Sequence, residues 1–312
     1  MPLVSVVIPT RNRPALVVAA VHSVLAQTMG DLEVVVVIDG PDPATAAALA
    51  AVDDPRLRVI ANPQSQGAAL ARNTGVDASA GRWIAFLDDD DEWYPNKLEK
   101  QLAIADPGED QLILCLSRVV TPIGNYVWPT EIYDSREPID AYLFERDRAF
   151  LGSNFIQTSS YLLRRELFER VRFRGGSEPH DDWDFLIRLG KEHGCRVLTV
   201  PEPLVMFRYE QVGPSLSKTG RWRASLAWID TLGDLVGPQA HASFCLSVAG
   251  AAGANAGELR SIPAVLRHAF RRGHPTLLQL AVYLSFWVLP QATRRRLRAW
   301  AQATGRRDTA PA

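Results

Sequence analysis

Cysteine is scarce in this chain. Its 312 residues hold three, Cys115, Cys195 and Cys245. They lie too far apart for a disulfide framework or zinc-site spacing, and such usage fits a reducing cytoplasm. Long apolar runs are also missing. The best stretch, Leu277 to Leu289, is broken by Gln279 and Ser285. As a helix it would span about 20 Å, short of a ~30 Å hydrocarbon core, so no transmembrane helix is expected. The N-terminus, Met-Pro-Leu-Val-Ser-Val-Val-Ile, has no basic lead and no long apolar stretch, so no signal peptide is expected. A net charge of −1 gives no case for a nucleic-acid partner. No internal repeat is visible.

What is present is a large apolar fraction, 47 % of residues, enough for a substantial core. Charge is unevenly spread. Residues 260–312 carry ten arginines and one acid, Asp308, a net +9, so the rest of the chain is about −10. An acidic body and a basic tail suggest separate jobs. The body suits a metal ion. The tail suits an anionic surface, or forms a helix packed on the main domain.

The first ninety residues alternate short apolar runs with helical segments. Strands are expected at Val4–Ile8, Glu33–Ile38, Leu57–Ile60 and Trp83–Leu87. Helices are expected from Pro14 to about Gln27, Ala44–Val52 and Gly67–Ala78. The pattern implies an α/β fold with a mostly parallel sheet flanked by helices, whose ligands sit at the strands' carboxyl ends. The polar groups fall at those ends: Thr10-Arg11-Asn12, Asp39, and Asp88-Asp89-Asp90-Asp91. Beyond Leu112 the pattern changes. Strands are expected at Leu112–Leu116, Ile156–Leu163, Arg196–Val200 and Leu204–Tyr209, and a helix at Asp181–Leu189, with residues 120–155 irregular. The chain after about Ser215 reads as mainly helical, which divides it into domains 1–215 and 216–312.

Four adjacent carboxylates repel one another unless something positive sits among them. In an extended stretch Asp88 and Asp90 would share a face, and that pair suits Mg²⁺ or Mn²⁺. A solvated turn ahead of a helix is the plainer alternative.

Four ordered blocks resemble family 2 of the inverting glycosyltransferases, which have the GT-A, Rossmann-like fold. They are Ser5–Arg13, Glu33–Gly40, Gly67–Gly75 and Phe86–Asp91, and the resemblance runs over roughly residues 3–210. It implies a metal-dependent enzyme that moves a sugar from a nucleotide-diphosphate donor, usually a UDP-sugar, to a saccharide or lipid-linked saccharide hydroxyl. Such enzymes build surface polysaccharides and other glycoconjugates. Pro9, Thr10 and Arg11 would line the nucleotide pocket, and Asp39 would meet the base. Many members carry a further Asp where this chain has Ile38. Arg72 would meet the diphosphate. Asp90 would bind Mn²⁺ or Mg²⁺ directly, and Asp88, with Asp89 beside it, would reach the ribose or the metal's surroundings. Asp182 matches the catalytic base, with Asp181, standing where Glu is usual, as the alternative. A loop holding Arg208, Ser215, Ser217 and Lys218 would close over the diphosphate. Trp183 would stack on a sugar or pack in the core. The expected location is the cytoplasm, with peripheral contact to anionic membrane through the C-terminal helix. A nucleotidyltransferase of related fold would want a glycine-rich loop after the first strand, and Thr10-Arg11-Asn12-Arg13-Pro14 has no glycine. A silent sugar-nucleotide-binding protein would not need two acidic clusters.

Overall fold

All seven residues of the first strand, β1 (Val4–Thr10), are buried. A strand apolar on both faces belongs at the centre of a parallel sheet, covered by helices above and below. This arrangement is met in a computed structural model of the chain, in which residues 1–121, 124–145, 156–176, 179–208, 221–289 and 293 are described. From β1 the chain runs through α1 (Pro14–Leu25), β2 (Leu32–Ile38), α2 (Pro43–Ala50), β3 (Leu57–Ala61), α3 (Ala68–Asp77) and β4 (Trp83–Phe86). Strands β3, β2, β1 and β4 are neighbours in that order and all pairs are parallel. Pro14 opens α1 where a missing N–H costs least, and Val17, Val21 and Val24 face the core. Helix α3 lies close on β1, because a Cβ at Gly75 would stand 2.4 Å from Val7 Cγ1.

Next come β5 (Asp91–Trp93), α4 (Lys97–Ala103), β6 (Gln111–Thr121) and β7 (Gly124–Trp128). After α5 (Ile139–Phe144) follow a 3₁₀ turn at Thr158–Ser160, β8 (Leu162–Arg164), α6 (Arg165–Val171), α7 (Asp181–Lys191) and β9 (Arg196–Arg208). Beyond β4 the sheet continues β8-β6-β9-β5 with β7 on β6, and here the pairing is mixed. The strand expected at Ile156–Leu163 is mostly turn, with only Leu162–Arg164 paired. The two strands expected at 196–209 are one, β9. Its register against β6 slips between Val200 and Val205. Pro201 and Pro203 fall there and have no N–H to give the ladder.

Two compact units result, residues 1–136 with 155–213, and residues 137–154 with 214–312. The first holds the sheet. The second takes α5 from the middle of the chain and adds α8 (Trp222–Thr231), α9 (Pro238–Phe244), a π-helical turn, α10 (Gly250–Asn255), α11 (Ser261–Arg272) and α12 (Leu277–Val288). Phe144 of α5 packs edge-on to Phe244 at 5.0 Å, and Trp228 meets Phe244 at 5.2 Å. Asp140 accepts the Gly237 N–H at 2.7 Å, ahead of α9. Among the described residues no helix is long and apolar enough to cross a membrane.

Candidate active site

The carboxyl ends of β1, β2 and β4 carry the site. Where β4 ends, Asp88 to Asp91 form a turn closed by the Asp91 N–H on the Asp88 carbonyl at 3.1 Å. The segment is therefore not extended, and alternation along a strand does not decide which carboxylates meet. Their partners decide it. Asp88 takes a 2.6 Å bond from Arg72 Nη2. Asp89 is buried and takes Thr10 Oγ1 at 2.7 Å and Arg13 Nη1 at 2.8 Å. The same Arg13 nitrogen reaches Asp90 at 3.2 Å. Asp91 is 1 % exposed and accepts from Gln157 and from Ser159 Oγ, the latter at 2.6 Å. Ser159 Oγ also accepts the Asp88 N–H at 3.1 Å. The 3₁₀ turn thus pins the acidic turn from behind.

Two arginines face four carboxylates here, so negative charge is in surplus. Burial raises the Asp90 pKa first, and the charges of Asp88 and Asp89 raise it further against the pull of Arg13, to about 6. Burial also raises Asp89, with Arg13 and Thr10 opposing. Asp91 is pushed well up by burial and then by Asp90 and Asp88. Such a group of oxygen donors fits a hard divalent cation. Among the described residues no three or more His, Cys, Asp or Glu side chains form a ready metal cage. One or two carboxylates could hold an ion here if waters and phosphate oxygens completed its shell.

Asp39, after β2, is engaged by the protein itself. Its carboxylate accepts from Asn62 Nδ2 at 3.2 Å, Ser65 Oγ at 2.7 Å, and the N–H groups of Gln66 and Gly67 at 2.9 Å each. Burial would raise its pKa, but these bonds outweigh it and hold the group below its ordinary value. Gly67 is the N-cap of α3 with φ +91°, where glycine bears no Cβ penalty. Asp39 therefore fixes the start of the helix that carries Arg72. Arg11 lies at the surface and bonds Ser65 Oγ at 2.8 Å. Pro9 is buried within β1.

Arg72 is buried, not an exposed helical arginine. Beyond its bond to Asp88, its guanidinium lies over the Phe173 ring at 5.2 Å and within electrostatic reach of Asp181 and Asp182. Asn73 beside it clips the same Phe173 backbone at both ends, at 2.9 and 3.1 Å. The two acidic clusters, ninety residues apart in the chain, therefore share one cation. Asp182 lies in the first turn of α7. A helix N-terminus favours the ionised acid, but burial overrides it. Burial raises the Asp182 pKa most, the Trp183 N–H opposes, Asp181 adds to the rise, and the result is about 7. Trp183 stacks on His180 at 5.1 Å. Burial lowers His180 to about 3, so that ring is neutral at pH 7.

Three further residues carry little signal in the sequence. Arg13 gave one hint, its place between β1 and α1. Tyr161 is wholly buried; burial pushes its hydroxyl well up, the Asp182 charge adds to the rise, and Arg72 and the Thr158 side chain oppose it. Arg188 is buried in α7. It pairs with Asp184 at 2.8 Å and donates to the Arg172 carbonyl at 2.7 Å, tying α6 to α7. Arg208, on β9, pairs with Glu92 at 2.5 Å. Ser215, Ser217 and Lys218 lie outside the described residues.

Residues 5–172 match the family model described as Glycosyl transferase family 2. The chain belongs to that family. The match runs from the second residue of β1 through α6 and stops before Asp182. It is an inverting glycosyltransferase drawing on a nucleotide-sugar donor. The Erwinia amylovora amylovoran biosynthesis glycosyltransferase AmsB is 29 % identical over 240 residues, 73 % of this chain and 77 % of that protein. The Escherichia coli UDP-Glc:alpha-D-GlcNAc-diphosphoundecaprenol beta-1,3-glucosyltransferase WfgD is 39 % identical over 102 residues. That stretch is 33 % of this chain and 40 % of WfgD. The mannosyltransferase PcManGT of Pyrobaculum calidifontis, solved in complex with GDP-Man and Mn²⁺, superposes with a TM-score of 0.59. The superposition covers 96 % of this chain and 83 % of that one at 19 % identity, a likeness of fold.

Proposed function

We propose that this glycosyltransferase moves a sugar from a UDP-sugar to a hydroxyl of a lipid-linked or growing saccharide during cell-envelope polysaccharide assembly. The names of AmsB and WfgD support the pathway and the acceptor class. The observation that carries the division of labour is Arg72, bonded to Asp88 and within reach of Asp181 and Asp182. It supports reading the two acidic clusters as halves of one site, with the donor side at Asp88–Asp90 and the acceptor side at Asp182.

Pro9, Thr10 and Arg11 border the nucleotide in this reading. Asp39 acts by holding the Ser65–Gly67 turn in place. Arg72 takes the diphosphate edge and keeps Asp88 aligned, and Asp89 braces Thr10 and Arg13. Asp90, with Asp88, would hold Mn²⁺ or Mg²⁺, which supplies neutralisation of charge on the departing nucleoside diphosphate. Asp182 takes the proton of the acceptor hydroxyl as that oxygen attacks the anomeric carbon opposite the leaving group. A base with a pKa near 7 is matched to that transfer. Asp181 is the alternative base. The proposed location is cytoplasmic, at the membrane face where a lipid-linked acceptor would be met.

A panel of nucleotide sugars, scored for thermal stabilisation and for slow release of nucleoside diphosphate with and without Mn²⁺, tests this reading. Asp182→Asn should retain donor binding and lose transfer. Undiminished turnover in that variant would remove Asp182 from the mechanism.

A further inference from the structure

Helix α12 is turned inside out. Its buried residues are Gln279 and Tyr283. Gln279 is occupied in a capping box, its Oε1 accepting the Thr276 N–H at 3.0 Å while its own N–H goes to Thr276 Oγ1 at 3.2 Å. Tyr283 lies against Gly250, where a Cβ would stand 2.6 Å from the ring. The opposite face points outward, and its exposed positions are apolar. Leu277, Ala281, Leu284 and Val288 are exposed and spaced by four, three and four residues, one stripe of an α-helix. Leu277 is 86 %, Leu284 61 % and Val288 77 % exposed. From Leu277 to Val288 the stripe runs about 16 Å, and the Ser285 hydroxyl beside it is turned back onto the Val282 carbonyl. A water-facing helix normally shows the reverse, so this face wants a cover.

Charge identifies the cover. On α11, of the same unit, Arg267 and Arg271 are exposed, as is Phe270. The chain from residue 260 onward is net +9. A second copy would bring the same positive charge and be repelled. An anionic bilayer offers acyl chains to the stripe and headgroups to the arginines. We propose that the α12 stripe of Leu277, Ala281, Leu284 and Val288 is a membrane-docking face that seats the enzyme on anionic lipid. This sharpens, and rests on, the peripheral location proposed above. The helix is too short to span, so it lies in the interface plane.

The test is flotation of the full-length protein with phosphatidylcholine vesicles, with and without phosphatidylglycerol. Wild type should float with the anionic vesicles and release at high salt, since screening removes the arginine contribution. Leu284→Gln should weaken partitioning about tenfold, and the triple variant with Leu277→Gln and Val288→Gln should abolish it. Unfolding curves of each variant confirm that its fold survives. Equal flotation of the single and triple variants with wild type would overturn the proposal. So would a wild-type dimer, seen by sedimentation, that Leu284→Gln converts to monomer. Donor hydrolysis measured without vesicles reads the catalytic assignment separately, so either claim can fail alone.

Discussion

Asp182→Asn should kill transfer and yet make the protein more stable at alkaline pH. In the folded chain the Asp182 pKa stands at about 7, against an ordinary 3.8. Between those values the folded state holds a proton that the unfolded state has released. Stability therefore falls as pH rises through this window, and above about pH 7 the whole cost of the buried charge is present. A rise of that size corresponds to about 4 kcal/mol. Asp182 is only half-buried, and water reaching it reduces this to about 2 kcal/mol. Asparagine carries no charge, so the variant escapes that cost. For a chain of this size the gain should appear as a melting temperature raised by about 4 °C at pH 8. At pH 4 the folded carboxyl is protonated and the two proteins should melt together. Thermal unfolding followed at pH 4, 6 and 8 measures this directly. The same carboxyl, acting as base, makes wild-type kcat/KM rise with pH up to about 7 and fall about tenfold per pH unit below it. A variant that melts no higher than wild type at pH 8, or a flat rate profile from about pH 5.5 to 8, would refute the reasoning.

Arg72→Met should leave Asp88 without its partner and destabilise the protein by about 2 kcal/mol or more, read by urea unfolding. It should also weaken donor binding, since the same guanidinium is assigned to the diphosphate. Asp90→Asn should weaken Mn²⁺ binding at least tenfold by calorimetry, with no loss of melting temperature, because Asp90 sits in a surplus of negative charge. Asp39→Asn should cost about 2 kcal/mol by loosening the turn that starts α3, seen as a lower urea midpoint. Its preference among UDP-, GDP- and TDP-sugars should stay that of wild type, because the carboxylate spends its acceptor capacity inside the chain.

The parallel half of the sheet was legible because its strands are mostly apolar runs and two of the three helices between them open on a proline. Val4–Thr10 has no polar face to misread, and Pro14 and Pro43 mark helix starts. The mixed half was less legible. Its pairing depends on partners distant in sequence, such as β6 with β9, and on where Pro201 and Pro203 break the ladder. Helix α5 reads as part of an irregular loop because six residues give little periodicity. What places it in the second unit is its packing against Phe244 and Gly237, a hundred residues later.

The acidic cluster shows what kind of information a chain withholds. Asp88, Asp89, Asp90 and Asp91 are alike in sequence and unlike in fate. Asp88 is matched to Arg72, Asp89 is locked to Thr10 and Arg13, and Asp91 is sealed beneath Gln157 and Ser159. Asp90 shares the Arg13 Nη1 that serves Asp89, at the longer 3.2 Å, and keeps the larger part of its charge unbalanced. None of these partners lies near it in the chain, and none is an unusual residue. The distinction arises from two arginines set on different elements, Arg13 at the start of α1 and Arg72 inside α3. Arg13→Gln follows as a test of that account. Removing the cation shared by Asp89 and Asp90 should raise the affinity for Mn²⁺ by several-fold, since one competitor for the carboxylate is gone. Asp89 keeps Thr10, so the turn should hold its shape. A weaker Mn²⁺ affinity in Arg13→Gln, with unchanged unfolding, would mean that Arg13 organises the ion's seat rather than competing for it.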